Sequence, residues 1–265
     1  MGRDVAEKVS ELSIEPITGA LGAQIGGVDL TRPADAGLVA ELEHLIAVHK
    51  VLVFTGQTDV GPSELVRFAK HFGAPETVPH PDHADYPGEP GVKIIEYDCS
   101  PHVVDQWHTD GATRADRRWL SFLQAVDVPP YGRDTLFADM EAAFEGLSPL
   151  LQDFLAGMNT QQSWGGQKPG APPVVHPAVV TNKVTGRRAL YVNRIYTTAL
   201  EGLRPKESQL LLEYLKDLAF YPDYQMRVRW KPGTIAMWDN ERTQHYVAQD
   251  KEYHRIMHRV MVQRR

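Results

Sequence analysis

Short apolar runs closed by glycine or proline recur along most of this 265-residue chain, and they limit what it can fold into. Val51 to Phe54, Val92 to Tyr97, Trp119 to Val128, Asp134 to Phe137, Val174 to Val180, Ala189 to Val192, Gln225 to Trp230 and Ile235 to Trp238 all read as strands. Helical periodicity is confined to a few stretches. Leu38, Leu42, Leu45 and Ile46 share a face after Pro33, and Leu65, Phe68, Ala69 and Phe72 follow Pro62-Ser63. Leu150, Leu151, Phe154, Leu155 and Met158 follow a Ser148-Pro149 start, and Leu211, Leu215 and Leu218 are in phase after Pro205. Helices and strands do not alternate, which argues against a Rossmann fold or a parallel barrel. The pattern predicts a mainly β fold of sandwich or jelly-roll type with flanking helices.

At this length the chain, 1–265, is expected to form one domain around one large core. Three polar, turn-rich segments, 74–91, 98–106 and 159–173, are candidate covers for an active site. Pro232-Gly233 reads as a hairpin turn, and His176 before Pro177 as a loop residue. A net charge of −6 lacks the basic excess that a nucleic-acid partner requires. No apolar run is long enough to span a bilayer, and the start carries no signal-peptide pattern, so a cytoplasmic protein without a membrane partner is expected. The single cysteine, Cys99, excludes an internal disulfide framework.

Trp107-His108-Thr109-Asp110 is the first stretch with chemistry in it. On extended backbone His108 and Asp110 leave the same face, so both can reach one metal ion. With 11 histidines and 34 acidic residues a His-x-Asp arises easily by chance, so the tripeptide alone decides nothing. A distant histidine would complete a two-histidine, one-carboxylate face that leaves open metal positions. His245 follows the strand ending at Trp238 and is such a candidate. Arg255 and Arg259 then lie four residues apart, on one face if that segment is a strand. Buried, they would require carboxylates or an acidic ligand. The alternative is an exposed edge strand with two solvated arginines.

Six blocks, in order and spread over nearly the whole chain, give a resemblance. They are Gly22 to Leu30, Trp107 to Asp110, Gly132-Arg133-Asp134-Thr135-Leu136-Phe137, Leu190 to Asn193, Trp238-Asp239-Asn240 with Thr243-Gln244-His245, and Arg255 to Arg259. Together they resemble the taurine dioxygenase-like branch of the Fe(II)/2-oxoglutarate-dependent dioxygenases, which includes alkylsulfatases and phenoxyacetate-cleaving enzymes. The resemblance implies a cupin-like double-stranded β-helix, a form of jelly roll. It implies Fe(II) held by His108, Asp110 and His245, and 2-oxoglutarate held by Arg255 with help from Thr135. O2 would be the second co-substrate, with succinate and CO2 as products beside a hydroxylated aliphatic carbon. Where that carbon bears sulfur or oxygen, C–S or C–O cleavage can follow. Asp110 argues against a halogenating variant.

For the substrate, the resemblance implies an anion at Arg259 and an aromatic wall at Tyr196. The histidine and asparagine of the taurine pocket are replaced at or near Val78 and at Val104, and a cover could re-form around Trp164. A small sulfonate, sulfate ester or carboxylate with an apolar or aromatic part is therefore expected, rather than taurine. Relatives are often dimers or tetramers, so a homo-oligomer is expected. A metal-dependent hydrolase could use the same His/Asp/His set, but it gives no reason for Arg255 and Thr135. Desaturation or another oxidative rearrangement could begin from the same site.

Overall fold

Arg255 and Arg259 lie on a strand inside the largest sheet, not at its edge. The computed structural model describes residues 12–78, 83–97, 106–164, 172–248 and 254–264. The first half of the chain forms β1 (Ser13–Pro16), β2 (Ala23–Gly26), α1 (Ala36–His49), β3 (Val51–Phe54), α2 (Pro62–Lys70), β4 (Gly73–Pro75), β5 (Ala84–Tyr86), β6 (Glu89–Tyr97) and β7 (Leu120–Asp127). Next come β8 (Thr135–Asp139), α3 (Met140–Glu145), α4 (Pro149–Ala156), β9 (Asn159–Gln162), β10 (Val174–Pro177), β11 (Val179–Thr181), β12 (Arg188–Leu190) and β13 (Thr197–Leu200). The last part gives α5 (Pro205–Asp217), β14 (Gln225–Val228), β15 (Ile235–Asp239), β16 (Thr243–Val247) and β17 (Arg255–Arg264).

The main sheet runs β1-β2-β3-β15-β7-β17-β6-β5, with β4 also paired to β17, and β14-β8-β16 form a smaller sheet. Side-chain alternation feeds two cores from one strand. Leu52 and Phe54 of β3 and Ile235 and Met237 of β15 join the core under α1 and α2. Their neighbours Val51, Val53, Ala236 and Trp238 face inward, against Phe137, Met226 and Val228 of the smaller sheet. This is the two-sheet sandwich with outer helices that the strand pattern predicts. Among the described residues no helix is long and apolar enough to cross a membrane.

Several local expectations change. Within the segment 74–91 the described residues include strands: β4 ends at Pro75, and Pro87-Gly88 turns between β5 and β6, with Gly88 at φ 83°. Its proline- and acid-rich composition marks edge strands rather than a loop. Residues 159–162 pair with both β10 and β13 instead of forming a turn. Pro232-Gly233 makes no hairpin, because β14 pairs with β8 while β15 pairs with β3 and β7. The turn instead carries the chain from one sheet to the other. There Gly233 has φ 75°, and a Cβ would sit 2.7 Å from the Thr58 nitrogen. His176 lies on β10, buried, with Nε2 2.9 Å from the Arg114 carbonyl. On α4, Leu155 is buried whereas Leu150 and Phe154 are exposed. Segment 98–105 and Cys99 fall outside the described residues.

A buried charge cluster ties these layers together. Lys50, in the left-handed region (φ 65°) after α1, reaches Asp139 at 3.1 Å and Glu141 at 3.3 Å. Arg242 reaches Glu141 at 3.0 Å and Asp239 at 2.9 Å, and donates to the Ala47 and Ile46 carbonyls at the end of α1. Removing one partner from such a cluster strands a buried charge. Glu141→Gln is expected to lower stability by about 3–5 kcal/mol, read from urea unfolding midpoints. An unchanged midpoint would show that the cluster is dispensable.

Candidate active site

An isolated β-bridge from the segment before β7 to β16 brings the histidines together. The backbones of His108 and His245 exchange hydrogen bonds as an isolated antiparallel bridge, at 3.1 and 2.8 Å. Their rings lie 4.1 Å apart, and Asp110 rises from the same segment two residues beyond His108. One ligand atom from each of His108, Asp110 and His245 lies within 4.8 Å of the others, and all three residues are buried. His108 Nδ1 is 3.0 Å from the Gln106 carbonyl. A carbonyl only accepts, so Nδ1 carries the proton and Nε2 offers its lone pair. His245 Nδ1 is buried without a hydrogen-bond partner, and its Nε2 lies 3.9 Å from Asp110 Oδ1. Divalent-metal ligation suits this donor set of two neutral imidazoles and one carboxylate.

The electrostatics keep the three groups in the protonation states that a metal needs. Burial disfavours charge on His108 and His245, and it pushes His245 down to about 3. For Asp110, burial opposes the charge, but the Arg259 guanidinium above all, with the Ser121 hydroxyl, outweighs it and holds the carboxyl ionised. Arg259 Nη1 is 3.4 Å from Asp110 Oδ1, and Ser121 Oγ donates to Oδ2 at 3.0 Å.

Arg255 sits four residues from Arg259, roughly 13 Å along the strand. Its Nη1 donates to the Arg133 carbonyl at 2.8 Å, and its guanidinium lies 4.7 Å over the Tyr97 ring. Its Nε is buried without a partner, and among the described residues no carboxylate pairs with it. Two residues beyond Arg133, Thr135 Oγ1 accepts from Trp230 Nε1 at 3.0 Å, so its own proton is left to donate elsewhere. β17 is flanked by β7 and β6, which rules out the solvated edge strand. His258 points to the opposite face and packs edge-on against Tyr86 at 5.2 Å.

Tyr196 lies edge-on to His108 at 6.5 Å, and Trp164 packs on Tyr196 at 5.1 Å, so an aromatic wall stands beside the histidines. Val78 is exposed on the segment after β4, and no contact among the described residues joins it to the three ligands. Val104 lies outside the described residues. Sequence reasoning missed Ser121, Arg133 and Tyr97. Ser121 alone carried a signal, as the polar residue inside the apolar run Leu120 to Leu123.

Below about pH 6.5 the unfolded chain would take up protons that the buried histidines refuse. Their contribution is therefore fully present above that value and is lost as pH falls toward about 3, the level of His245. In the metal-free protein the urea midpoint is expected to fall over this interval, and His245→Gln should flatten the slope. Parallel slopes in the two proteins would contradict this.

The chain matches the family described as taurine catabolism dioxygenase TauD, TfdA family over residues 13–261. It is 30% identical to an alkylsulfatase of Acinetobacter baylyi, over 97% of this chain and 86% of that one. It is 29% identical to an alpha-ketoglutarate-dependent sulfate ester dioxygenase of Pseudomonas putida, over 91% and 85%. The crystal structure of a taurine dioxygenase from Burkholderia xenovorans superposes with a TM-score of 0.86 at 31% identity, covering 96% of this chain and 90% of that one. A match of that extent, on a sandwich whose strands converge two histidines and an aspartate, makes the chain a member of the TauD/TfdA dioxygenase family.

Proposed function

We propose that this protein is an Fe(II)- and 2-oxoglutarate-dependent dioxygenase that oxidises an aliphatic C–H bond of a small anionic substrate. The observation that carries the reading is Arg255: a buried guanidinium, free of carboxylates among the described residues, on the same inward face as the metal-ligand set. A hydrolytic metal centre has no use for it. A dicarboxylate co-substrate does, because a guanidinium binds a carboxylate through two parallel hydrogen bonds. His108, Asp110 and His245 would hold the metal. Arg255 and the Thr135 hydroxyl would hold the far carboxylate of 2-oxoglutarate. When bound, Fe(II) and 2-oxoglutarate supply the coupled chemistry: O2 is consumed, the oxo acid leaves as succinate and CO2, and the substrate carbon gains a hydroxyl.

Charge counting supports the substrate class. A divalent ion with Arg255, Arg259 and the buried Arg133 beside Arg255 carries five positive charges, while Asp110 and 2-oxoglutarate carry three negative ones. Positive charge remains, and Arg259 is the guanidinium next to the metal ligands that can present it. Lys93, directly across from Arg259 on β6, pairs with Asp85 and is neutralised locally. A sulfonate, sulfate ester or carboxylate group at Arg259, with its carbon chain against Tyr196 and Trp164, fits these groups. The alkylsulfatase and sulfate ester dioxygenase relatives point the same way. If the hydroxylated carbon bears the sulfate or sulfonate, the product collapses to a carbonyl compound and releases the anion.

Anaerobic addition of Fe(II) and 2-oxoglutarate is expected to give a weak visible charge-transfer band, and His108→Ala should abolish it. A folded wild-type protein without the band would sink the proposal. Arg255→Gln should keep the band but require about 10- to 100-fold more 2-oxoglutarate, the loss expected for a charged hydrogen bond. In a succinate-release screen over sulfonates, sulfate esters and carboxylates, Arg259→Gln should raise KM for the accepted substrate at least about tenfold, with half-saturating 2-oxoglutarate unchanged. Equal effects on both would assign Arg259 to the co-substrate instead.

A further inference from the structure

The two oxygens of Asp110 have different neighbours. Oδ1 faces Arg259 Nη1 at 3.4 Å and His245 Nε2 at 3.9 Å. Oδ2 accepts from Ser121 Oγ at 3.0 Å. Behind Ser121 stands a chain of hydrogen bonds whose direction is fixed by chemistry. An indole N–H can only donate. Trp238 Nε1 lies 2.8 Å from Asn240 Oδ1, so the amide must present its oxygen there. The amide NH2 then points at Ser121 Oγ, 2.7 Å away, and fills an acceptor site on the hydroxyl. The serine proton is left with Asp110 as its acceptor.

The backbone of Asn240 is pinned on both sides. Its backbone N–H donates to the Trp119 carbonyl at 2.8 Å, and its own carbonyl accepts the Thr109 hydroxyl from between the two clustered residues His108 and Asp110. Register places Ser121 on the inward face, opposite Trp238 on one side and Met261 on the other. Trp238, Asn240 and Ser121 are each 1% exposed or less, so water does not compete for these bonds.

We infer that Trp238, Asn240 and Ser121 form a one-way relay that positions Asp110 to bind a metal ion through Oδ1 alone. The inference rests on the reading of His108, Asp110 and His245 as metal ligands. A carboxylate whose second oxygen is engaged by a donor acts as a single-point ligand. A carboxylate free to rotate can close on the ion with both oxygens and occupy a position that a chelating 2-oxo acid needs. None of the three residues touches the metal: they are positioning residues, and their effect travels through one oxygen of Asp110.

The test titrates metal-free protein with Mn(II) alone, following free Mn(II) by electron paramagnetic resonance, and records the melting temperature of each metal-free variant. Ser121→Ala is expected to weaken Mn(II) binding about 10- to 100-fold. Ser121→Cys, with a poor donor of similar size, should fall between it and the wild type. Trp238→Phe, which frees the amide to flip, should weaken binding by a smaller factor. A packing role alone would move melting temperatures and leave Mn(II) affinity where it was. Affinity within about twofold of wild type in folded Ser121→Ala or folded Trp238→Phe overturns the relay; should Ser121→Ala fail to fold, Ser121→Cys stands in for it. If the wild type itself takes up no Mn(II), the metal-centre reading fails instead.

Discussion

Glu141 is the point on which the layers of this protein hang. Its carboxylate is fully buried and meets Lys50, Arg242 and Arg187, which come from the end of α1, the turn before β16 and the approach to β12. Each contact joins a different layer; Lys50 and Arg242 are buried away from water, while Arg187 closes the cluster from the exposed side. Such clusters rarely add much net stability, because desolvation offsets the attraction. What they supply is register: Arg242 sits three residues before His245, so the same guanidinium that caps α1 fixes where β16 begins. The position of one proposed metal ligand is thus set by a helix end on the other side of the main sheet.

The sandwich explains why the chemistry lies where it does. β7, β15 and β17 are covered on both faces, so a polar side chain on the inner face needs a partner from across the gap. Asp110, Ser121, Asn240 and Arg259 supply partners to one another. Arg255 meets the Arg133 carbonyl and Tyr97, and no carboxylate among the described residues. That imbalance separates groups that complete the fold from a group left for a ligand.

Much of this was legible in the chain. The short apolar runs of β3 and β15, the proline starts of α2, α4 and α5, and the spacing of His108, Asp110, Arg255 and Arg259 are local patterns that survive folding. Pairing was not legible. Nothing in Gln225 to Asp239 tells that two adjacent strands join different sheets, because a proline-glycine turn serves a hairpin and a crossing equally well. The strands at 73–75 and 84–86 were hidden because edge strands tolerate proline and charge. The exposure of Leu150 and Phe154 was hidden too, since helical phase gives a stripe but not what covers it. Ser121 became meaningful only when Asp110, eleven residues earlier, was seen above it.

The reciprocal backbone bridge between His108 and His245 has a broader meaning. Most metal sites rely on side-chain rotamers to bring ligands together, and each rotamer is a freedom to be lost on binding. Here two of the three candidate donors are spaced by the pitch of a β-ladder, which varies little from one protein to another. The main chain acts as a gauge block: it sets the span between imidazoles before any ion arrives, and the side chains only trim the fit. A fold that guards this spacing can exchange the walls of its pocket without disturbing the centre it was built around.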